Sequence, residues 1–464
     1  MEKFDVLVVG SGSGMTIVDG SLQKGLRTAL VEMDTLGGTC LNRGCIPSKM
    51  VIYPIDLVQE IKRAEKLGVR ARIEEIDFPG IMERVRRSVE EDRRGMEEGV
   101  SKTKELAYYH NRGEFVSDYK MAVGDETIQA KNIFLFSGAR PDIPDIKGLS
   151  DVHYLTYREI WGLTKAPASM IIIGGGYISA EFAHFFSGVG VDVTVLSRGP
   201  ILRQTEPEIG VLLTKSLKAR MPVLTGVEFV EATEDGGMKE VTIRDEGGQK
   251  QVIRAESLLV ATGVRGNADL LKVENTGVNT DANGYIKVNE FFETGKPRIW
   301  ALGDAIGRAM FKHVANREAE LVWHSFDHGH KQSLDYDKVP YAVFSWPQIA
   351  GVGLTEEEAV KRGLKVLTGV YNYSDTAYGS AMGEEDGFVK LVLEEESYKV
   401  LGCHIIGPCA PILVQEVVNV MYSGDGVVYP VTDALHIHPA LSEVIQRTTW
   451  NLRRSGEVEP NQHD

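Results

Sequence analysis

Two cysteines five positions apart, Cys40 and Cys45, lie in the segment Gly37-Gly-Thr-Cys-Leu-Asn-Arg-Gly-Cys-Ile-Pro-Ser-Lys49. A bond between them would close a very short loop, which removes little entropy from the unfolded chain. Stabilisation is therefore a poor reason for such a pair, and reversible thiol–disulfide exchange is a better one. The surroundings suit that chemistry, because the segment enters a helix and carries Lys49. A helix N-terminus and a nearby cation both lower a thiol pKa and favour the nucleophilic thiolate. The remaining cysteines, Cys403 and Cys409, sit among strand and turn residues with no glycine-rich neighbourhood or basic partner. They are expected to be buried core thiols.

Exchange also needs a group that protonates departing thiols and deprotonates attacking ones near neutral pH. His438 is the candidate, with Glu443 to orient its imidazole and stabilise its charge. A lone histidine before a proline is more often structural, and neighbouring His436 is read that way.

The elements that must position these residues begin with a strand at Asp5–Val9, the turn Gly10-Ser11-Gly12-Ser13-Gly14, a helix-compatible stretch and a second strand at Thr28–Glu32. A glycine-rich turn between strand and helix lets a pyrophosphate approach the backbone at the helix N-terminus, and an acid some 20 residues on holds the adenosine ribose. Glu32 is that acid, while Met15 occupies the place of the usual third glycine and leaves the local geometry open. The pattern recurs as a strand at Met170–Ile173, the turn Gly174-Gly175-Gly176-Tyr177, a helix at Ile178–Gly188 and a strand at Asp192–Leu196. The two turns are too far apart for one mononucleotide-binding pair and predict two doubly wound domains, each with its own nucleotide. In the second unit the strand ends in Ser197-Arg198 with Arg203 following. The absent carboxylate and the two arginines favour a 2′-phosphate, hence NADPH over NADH.

Between the units lies a charged, helix-compatible stretch, Val58–Lys104. Strands are expected at Asn132–Phe136, Leu258–Ala261 and Arg298–Leu302, and from about Val339 alternating strand patterns lead to a final helix at Ala440–Trp450. With 464 residues, 43% apolar and 25% charged, the chain is of ordinary globular composition and long enough for several cores. A net charge of −15 argues against a nucleic-acid partner. No signal-peptide pattern and no apolar run of membrane-spanning length is visible, and four cysteines are too few for a secreted disulfide scaffold, so a cytoplasmic setting is expected.

The cysteine segment resembles that of the pyridine nucleotide–disulfide oxidoreductases. Further matches follow in order: Ser137-Gly-Ala-Arg-Pro141, the second glycine turn through Glu181, Ala261-Thr-Gly263, Ala301-Leu-Gly-Asp304, His313 with Ala315, and His438-Pro439 with Glu443. The resemblance implies an α/β fold of two doubly wound Rossmann-like nucleotide-binding domains plus a C-terminal α+β dimerisation domain. The corresponding divisions are a split FAD-binding domain at 1–146 and 266–336, an NAD(P)-binding domain at 147–265 and an interface domain at 337–464.

By the same resemblance FAD occupies the first unit, where Gly10, Gly12, Gly14 and Gly138 form its backbone cradle. Glu32 then meets its adenosine ribose, Thr39 its phosphates, Asp304 its ribityl chain and Ala315 the flavin end. Gly174, Gly176, Ser197, Arg198, Arg203 and Gly263 serve the nicotinamide coenzyme, and Tyr177 covers the flavin until that coenzyme displaces it. Lys49 and Glu181 form the ion pair beside the flavin; Cys45 contacts the ring and Cys40 is the interchange thiol. His438 and Glu443 act across the interface of a homodimer.

Substrate is less determined. The cysteine segment is nearest the dihydrolipoamide dehydrogenase form, the leading expectation, with a disulfide or dithiol such as a lipoyl group as partner. The Ser197-Arg198 ending and the stretch Ile437-His-Pro-Ala-Leu-Ser-Glu443 instead favour an NADPH-dependent reductase of a low-molecular-weight disulfide of the mycothione or glutathione type. Arg43 either greets an anionic substrate or faces solvent. Mercuric reductase and a metal site are disfavoured, because the tail Asn451–Asp464 holds no cysteine. A reading of another class is a flavin-bearing electron-carrier subunit, against which stands the presence of both cysteines, His438 and Glu443.

Overall fold

The computed structural model describes residues 1–456. Part of the cysteine-free tail, 457–464, lies outside them. The first strand, Glu2–Val9, carries a run of β-branched residues in which Val6, Leu7 and Val8 are fully buried. A strand buried on both faces suits the middle of a parallel sheet, and Glu2–Val9 pairs in parallel with Thr28–Glu32 on one side and Glu126–Leu135 on the other. Leu106–His110 extends the sheet beyond Thr28–Glu32, and a meander of Lys120–Val123 and Gly113–Ser117 extends it beyond Glu126–Leu135. The last parallel strand, Ile299–Ala301, also pairs with Glu126–Leu135. It arrives only after the chain has made an excursion.

That excursion leaves through Ala139–Pro141 and returns through Val264–Gly266, two short strands that pair antiparallel. Within it, Ser169–Ile173, Asp192–Leu196, Val223–Leu224 and Ser257–Val260 form a four-stranded parallel sheet, joined by a three-stranded antiparallel sheet spanning Glu228–Ala255. Residues 340–454 form a six-stranded antiparallel sheet packed against the Ala410–Met421 helix. The arrangement is the mixed α/β one expected, with two parallel nucleotide-fold sheets and a C-terminal antiparallel layer.

Several expected elements shift. The Val58–Lys104 stretch is not continuous: one helix runs Cys45–Arg63, and another begins at Phe78 and ends at Lys102. Gly68, at φ +83°, closes the short turn after the first helix, and Asp77 caps the second by accepting from Gly80 N at 2.9 Å, with Pro79 in the first turn. The final helix is shorter than expected and covers Glu443–Thr448. Among the described residues, no helix is long and apolar enough to cross a membrane.

Candidate active site at the paired cysteines

The first glycine turn is forced tight by its neighbours. A Cβ on Gly10 would sit 2.2 Å from the Phe136 carbonyl oxygen, and one on Gly14 would sit 2.3 Å from Gly10 O and 2.8 Å from Val8 Cγ1. Gly14 therefore carries the close helix-to-strand approach that a third glycine would provide, and Met15 is left to pack its side chain against the core. Across the turn, a Cβ on Gly38 would meet Gly12 Cα at 2.8 Å, so the two backbones face each other without side chains between. Glu32 ends the next strand nearly buried, and its Oε2 accepts from Ser11 N at 2.9 Å and Ser11 Oγ at 2.8 Å.

Gly10, Ser11, Gly12, Glu32 and Gly38 line a cavity of about 710 Å³ that extends from Glu32 to the cysteines, whereas Gly14 stands behind its wall. Thr39, Gly138, Tyr177, Asp304 and Ala315 line it too. Its polar groups are poorly served by the chain alone. Ser137 Oγ is buried without a hydrogen-bond partner, and burial pushes the Asp304 carboxyl up to about 6. Buried polar atoms without partners mark places where a ligand completes the bonding. The reach from Glu32 to the cysteines, the bare glycine backbones and these unserved groups fit a dinucleotide such as FAD.

Cys40 belongs to the short helix Gly38–Asn42, and Cys45 is the first residue of the Cys45–Arg63 helix. Both stand as thiols, and Cys45 is accessible where it opens onto the cavity. The hydrogen bond from Cys40 and, next, the Lys49 charge outweigh burial and bring the Cys45 thiol down to about 7. Cys40 goes the other way. Its pKa is pushed up because its proton is held by the Cys45 sulfur and because it is buried. One thiolate is thus favoured, and it is the one at the helix N-terminus.

Lys49 Nζ lies 2.8 Å from both carboxylate oxygens of Glu181, which projects from the Tyr177–Gly188 helix of the second unit. Phe344 N donates to Glu181 Oε1 at 3.0 Å, and the ammonium lies 4.6 Å from the Phe344 ring centroid. Tyr177, at the start of that helix, is half-buried, and its ring centroid is 6.5 Å from that of Phe311. His313 is bound to the Pro340 carbonyl oxygen at 2.9 Å. Arg43 does not face solvent freely. It pairs with Asp34 at 2.5 Å, and Arg158 binds the same carboxylate at 3.1 Å. These contacts consume the charge that sequence alone left unassigned.

The second glycine turn is equally tight, but its three glycines, Gly174 to Gly176, lie outside this cavity. A Cβ on Gly174 would meet the Ala261 carbonyl oxygen at 2.1 Å, whereas one on Gly176 would meet nothing within 4 Å. Gly263 follows with φ +120°. Ser197 is buried and would lie 2.4 Å from a Cβ on Gly175, while Arg198 and Arg203 are exposed and make no ion pair among the described residues.

His438 and Glu443 do form a pair. His438 Nδ1 lies 3.0 Å from Glu443 Oε1, Arg447 Nη2 donates to the same oxygen at 2.7 Å, and Ala440 N donates to Oε2 at 3.1 Å. The hydrogen bond to His438 holds the Glu443 carboxyl below its ordinary value. The imidazole side chain is 64% exposed and does not line the cysteine cavity of its own chain. His436, by contrast, is tied to Glu416 at 2.8 Å and to the Ala434 carbonyl oxygen. Cys403 is buried as expected, but Cys409 is exposed, because it caps the Ala410–Met421 helix in a left-handed conformation at the surface. Sequence reasoning overlooked Lys312 and Phe344, both of which line the cavity. Lys312 had one signal available, a cation at the first position of a helix beside the His313 motif.

Residues 4–319 match the family model for pyridine nucleotide-disulphide oxidoreductases, and residues 339–449 match the dimerisation domain of the same family. A mycothione reductase of Mycobacterium tuberculosis is 36% identical over 98% of this chain and all of its own length. A dihydrolipoyl dehydrogenase of Chlamydia pneumoniae is 33% identical over 96% of this chain and 95% of its own. The HOCl-induced flavoprotein disulfide reductase of Escherichia coli superposes with a TM-score of 0.84 at 23% identity, covering 96% of this chain and 99% of its own, a likeness of fold. With both family models covering nearly the whole length, the chain belongs to the pyridine nucleotide-disulphide oxidoreductases, FAD- and NAD(P)H-dependent enzymes that act on disulfides.

Proposed function

We propose that the enzyme is an NADPH-dependent reductase of a low-molecular-weight disulfide, working as a homodimer through Cys40 and Cys45. The observation that carries the coenzyme choice is the end of the Asp192–Leu196 strand, where Ser197 stands in place of an acid and two exposed arginines without ion pairs, Arg198 and Arg203, follow. A 2′-phosphate would meet positive charge there and no repulsion. NADPH in turn favours flux toward reduction. In that reading residues 1–146 and 266–336 hold FAD, 147–265 hold NADPH, and 337–464 form the interface.

Bound FAD would carry the electron pair between nicotinamide and sulfur. The chain's own residues do the rest. The Lys49 ammonium, fixed by Glu181, supplies positive charge beside Cys45 and keeps its thiolate available near neutral pH. Cys40 loses its proton to the imidazole of the partner's His438 and attacks one substrate sulfur. A Cys40–substrate disulfide forms, and the first thiol departs carrying that proton. The Cys45 thiolate then attacks Cys40 Sγ, forming the Cys40–Cys45 bond and releasing the second sulfur as a thiolate that takes a proton from solvent; the electron pair from NADPH reopens the bond. Glu443 supports the imidazolium stage, since its carboxylate is held charged by three donors. The action in trans is supported by the separation of His438 from its own chain's cavity and by the dimerisation-domain match.

The order of the two substrate readings thus reverses. The dithiol-oxidising reading keeps one observation in its favour, the Cys-Leu-Asn-Arg-Gly-Cys-Ile-Pro-Ser-Lys segment shared in form with dihydrolipoamide dehydrogenases. Anaerobic reduction by NADPH or NADH, followed by challenge with mycothione, glutathione disulfide or lipoamide, separates them. NADPH-driven reduction of mycothione is expected. NADH formation from dihydrolipoamide at a higher kcat/KM overturns the proposal in favour of the second reading. Cys45→Ser should lose disulfide turnover by roughly 1,000-fold or more, and a variant that keeps wild-type rates overturns the Cys40–Cys45 mechanism.

A further inference from the structure

Five lysine or arginine side chains line the cavity, and four of them are neutralised by carboxylates of this chain. Arg43 and Arg158 share Asp34 at 2.5 and 3.1 Å, Lys49 takes Glu181 at 2.8 Å, and Arg112 takes Glu114 at 3.0 Å. Lys312 is the fifth. It makes no ion pair within 4.0 Å among the described residues, and the charges that act on it from farther off are those of Cys40, Cys45 and Asp304. Its single hydrogen bond goes to the Ser13 hydroxyl oxygen at 3.1 Å, and the Ser13 proton is directed at Asn316 Oδ1, 2.8 Å away.

The placement of Lys312 is unfavourable on two counts. It opens the seventeen-residue Lys312–His328 helix, so its charge sits at the positive end of the helix dipole. It is also partly buried, and burial pulls its pKa down. A cation left without an ion pair, partly desolvated and set against a like-signed dipole is tolerated where a ligand brings the compensating anion. The ammonium reaches Ser13, inside the first glycine turn, whose backbone suits a diphosphate.

Resting on the reading of that turn as the FAD site, we propose that Lys312 binds the diphosphate of the dinucleotide, clasped to the glycine turn by Ser13 and Asn316. It is a cofactor-retaining residue contributed by the returning part of the chain, far in sequence from the turn it serves.

The test is release of bound FAD from the purified holoenzyme on dilution, followed by recovery of flavin fluorescence. Lys312→Gln and Lys312→Met, which remove the charge, should release FAD roughly 10- to 100-fold faster, the range of a charge-assisted hydrogen bond. Neutral variants that purify folded but flavin-free are the extreme of that result, and Lys312→Arg should stay near the wild type. A second readout is the pH midpoint of the Cys45 thiolate, followed by alkylation rate, which separates a role at the diphosphate from one at the sulfurs. Unchanged FAD release in both neutral variants overturns the assignment. So does a raised thiolate midpoint with unchanged release, which makes Lys312 a partner of the sulfurs. A wild-type protein that neither carries nor takes up FAD overturns the cofactor reading beneath it.

Discussion

The two glycine turns solve the same backbone problem and then diverge. Each places a glycine where a Cβ would strike a carbonyl oxygen of a neighbouring strand end, at 2.2 Å for Gly10 and 2.1 Å for Gly174. The first turn faces a partly enclosed cavity of about 710 Å³, and its strand ends in a nearly buried acid, Glu32, already fastened to Ser11. The three glycines of the second turn lie outside that cavity, and its strand ends in a buried serine followed by exposed arginines. Enclosure suits a group that stays through many turnovers; an open, charged rim suits one that must enter and leave on each. The shared motif provides for a diphosphate, and the end of the next strand decides which nucleotide it belongs to.

Substitutions can break that contrast. The largest effect is expected from Gly10→Ala. Its Cβ would overlap the Phe136 carbonyl oxygen at a residue with φ +103°, so the turn must open. The protein should purify with little flavin and lose roughly 2 kcal/mol or more of stability, read by flavin-to-protein absorbance ratio and thermal melting. The double variant Arg198→Ala, Arg203→Ala should raise the KM for NADPH roughly 10- to 100-fold while leaving flavin content and the NADH parameters alone, as measured by steady-state kinetics. An equal rise for NADH would remove the arginines from 2′-phosphate recognition. The smallest effect belongs to the joint between the units. Lys49→Met removes a charge that helps hold the Cys45 thiol near 7, so the thiolate midpoint should move upward. The thiolate is fully formed above the midpoint and lost as pH falls through it, so the variant should show roughly two- to tenfold less thiolate at pH 7, read by alkylation rate.

The same contrast shows what the sequence made legible. Both turns, their strands and the paired cysteines were readable because each rests on residue types with few physical alternatives: bare glycine backbone, β-branched strands, two thiols before a helix. The break in the Val58–Lys104 stretch was also written locally, in Gly68 and in Asp77 before Pro79, but a long charged run hides such punctuation. What could not be read depended on partners brought together by tertiary packing. Arg43 finds its carboxylate in Asp34, and nothing in the cysteine segment announces it. Cys409 and Cys403 are close in the chain, yet one is capped at the surface and the other buried in the sheet. The proton shared between Cys40 and Cys45 splits two thiols that composition treats alike.

The excursion between Ala139–Pro141 and Val264–Gly266 also sets an order of events at birth. During synthesis, Glu126–Leu135 emerges with one side paired to Glu2–Val9 and only part of its other side met by the meander. Its remaining neighbour, Ile299–Ala301, is not yet made. At ribosomal rates the wait is on the order of ten to thirty seconds. For that interval the nascent chain carries an open sheet edge beside a growing second sheet that has all its own strands. The later-encoded unit is therefore able to close first, and the earlier-encoded one is sealed last by the strand that follows it.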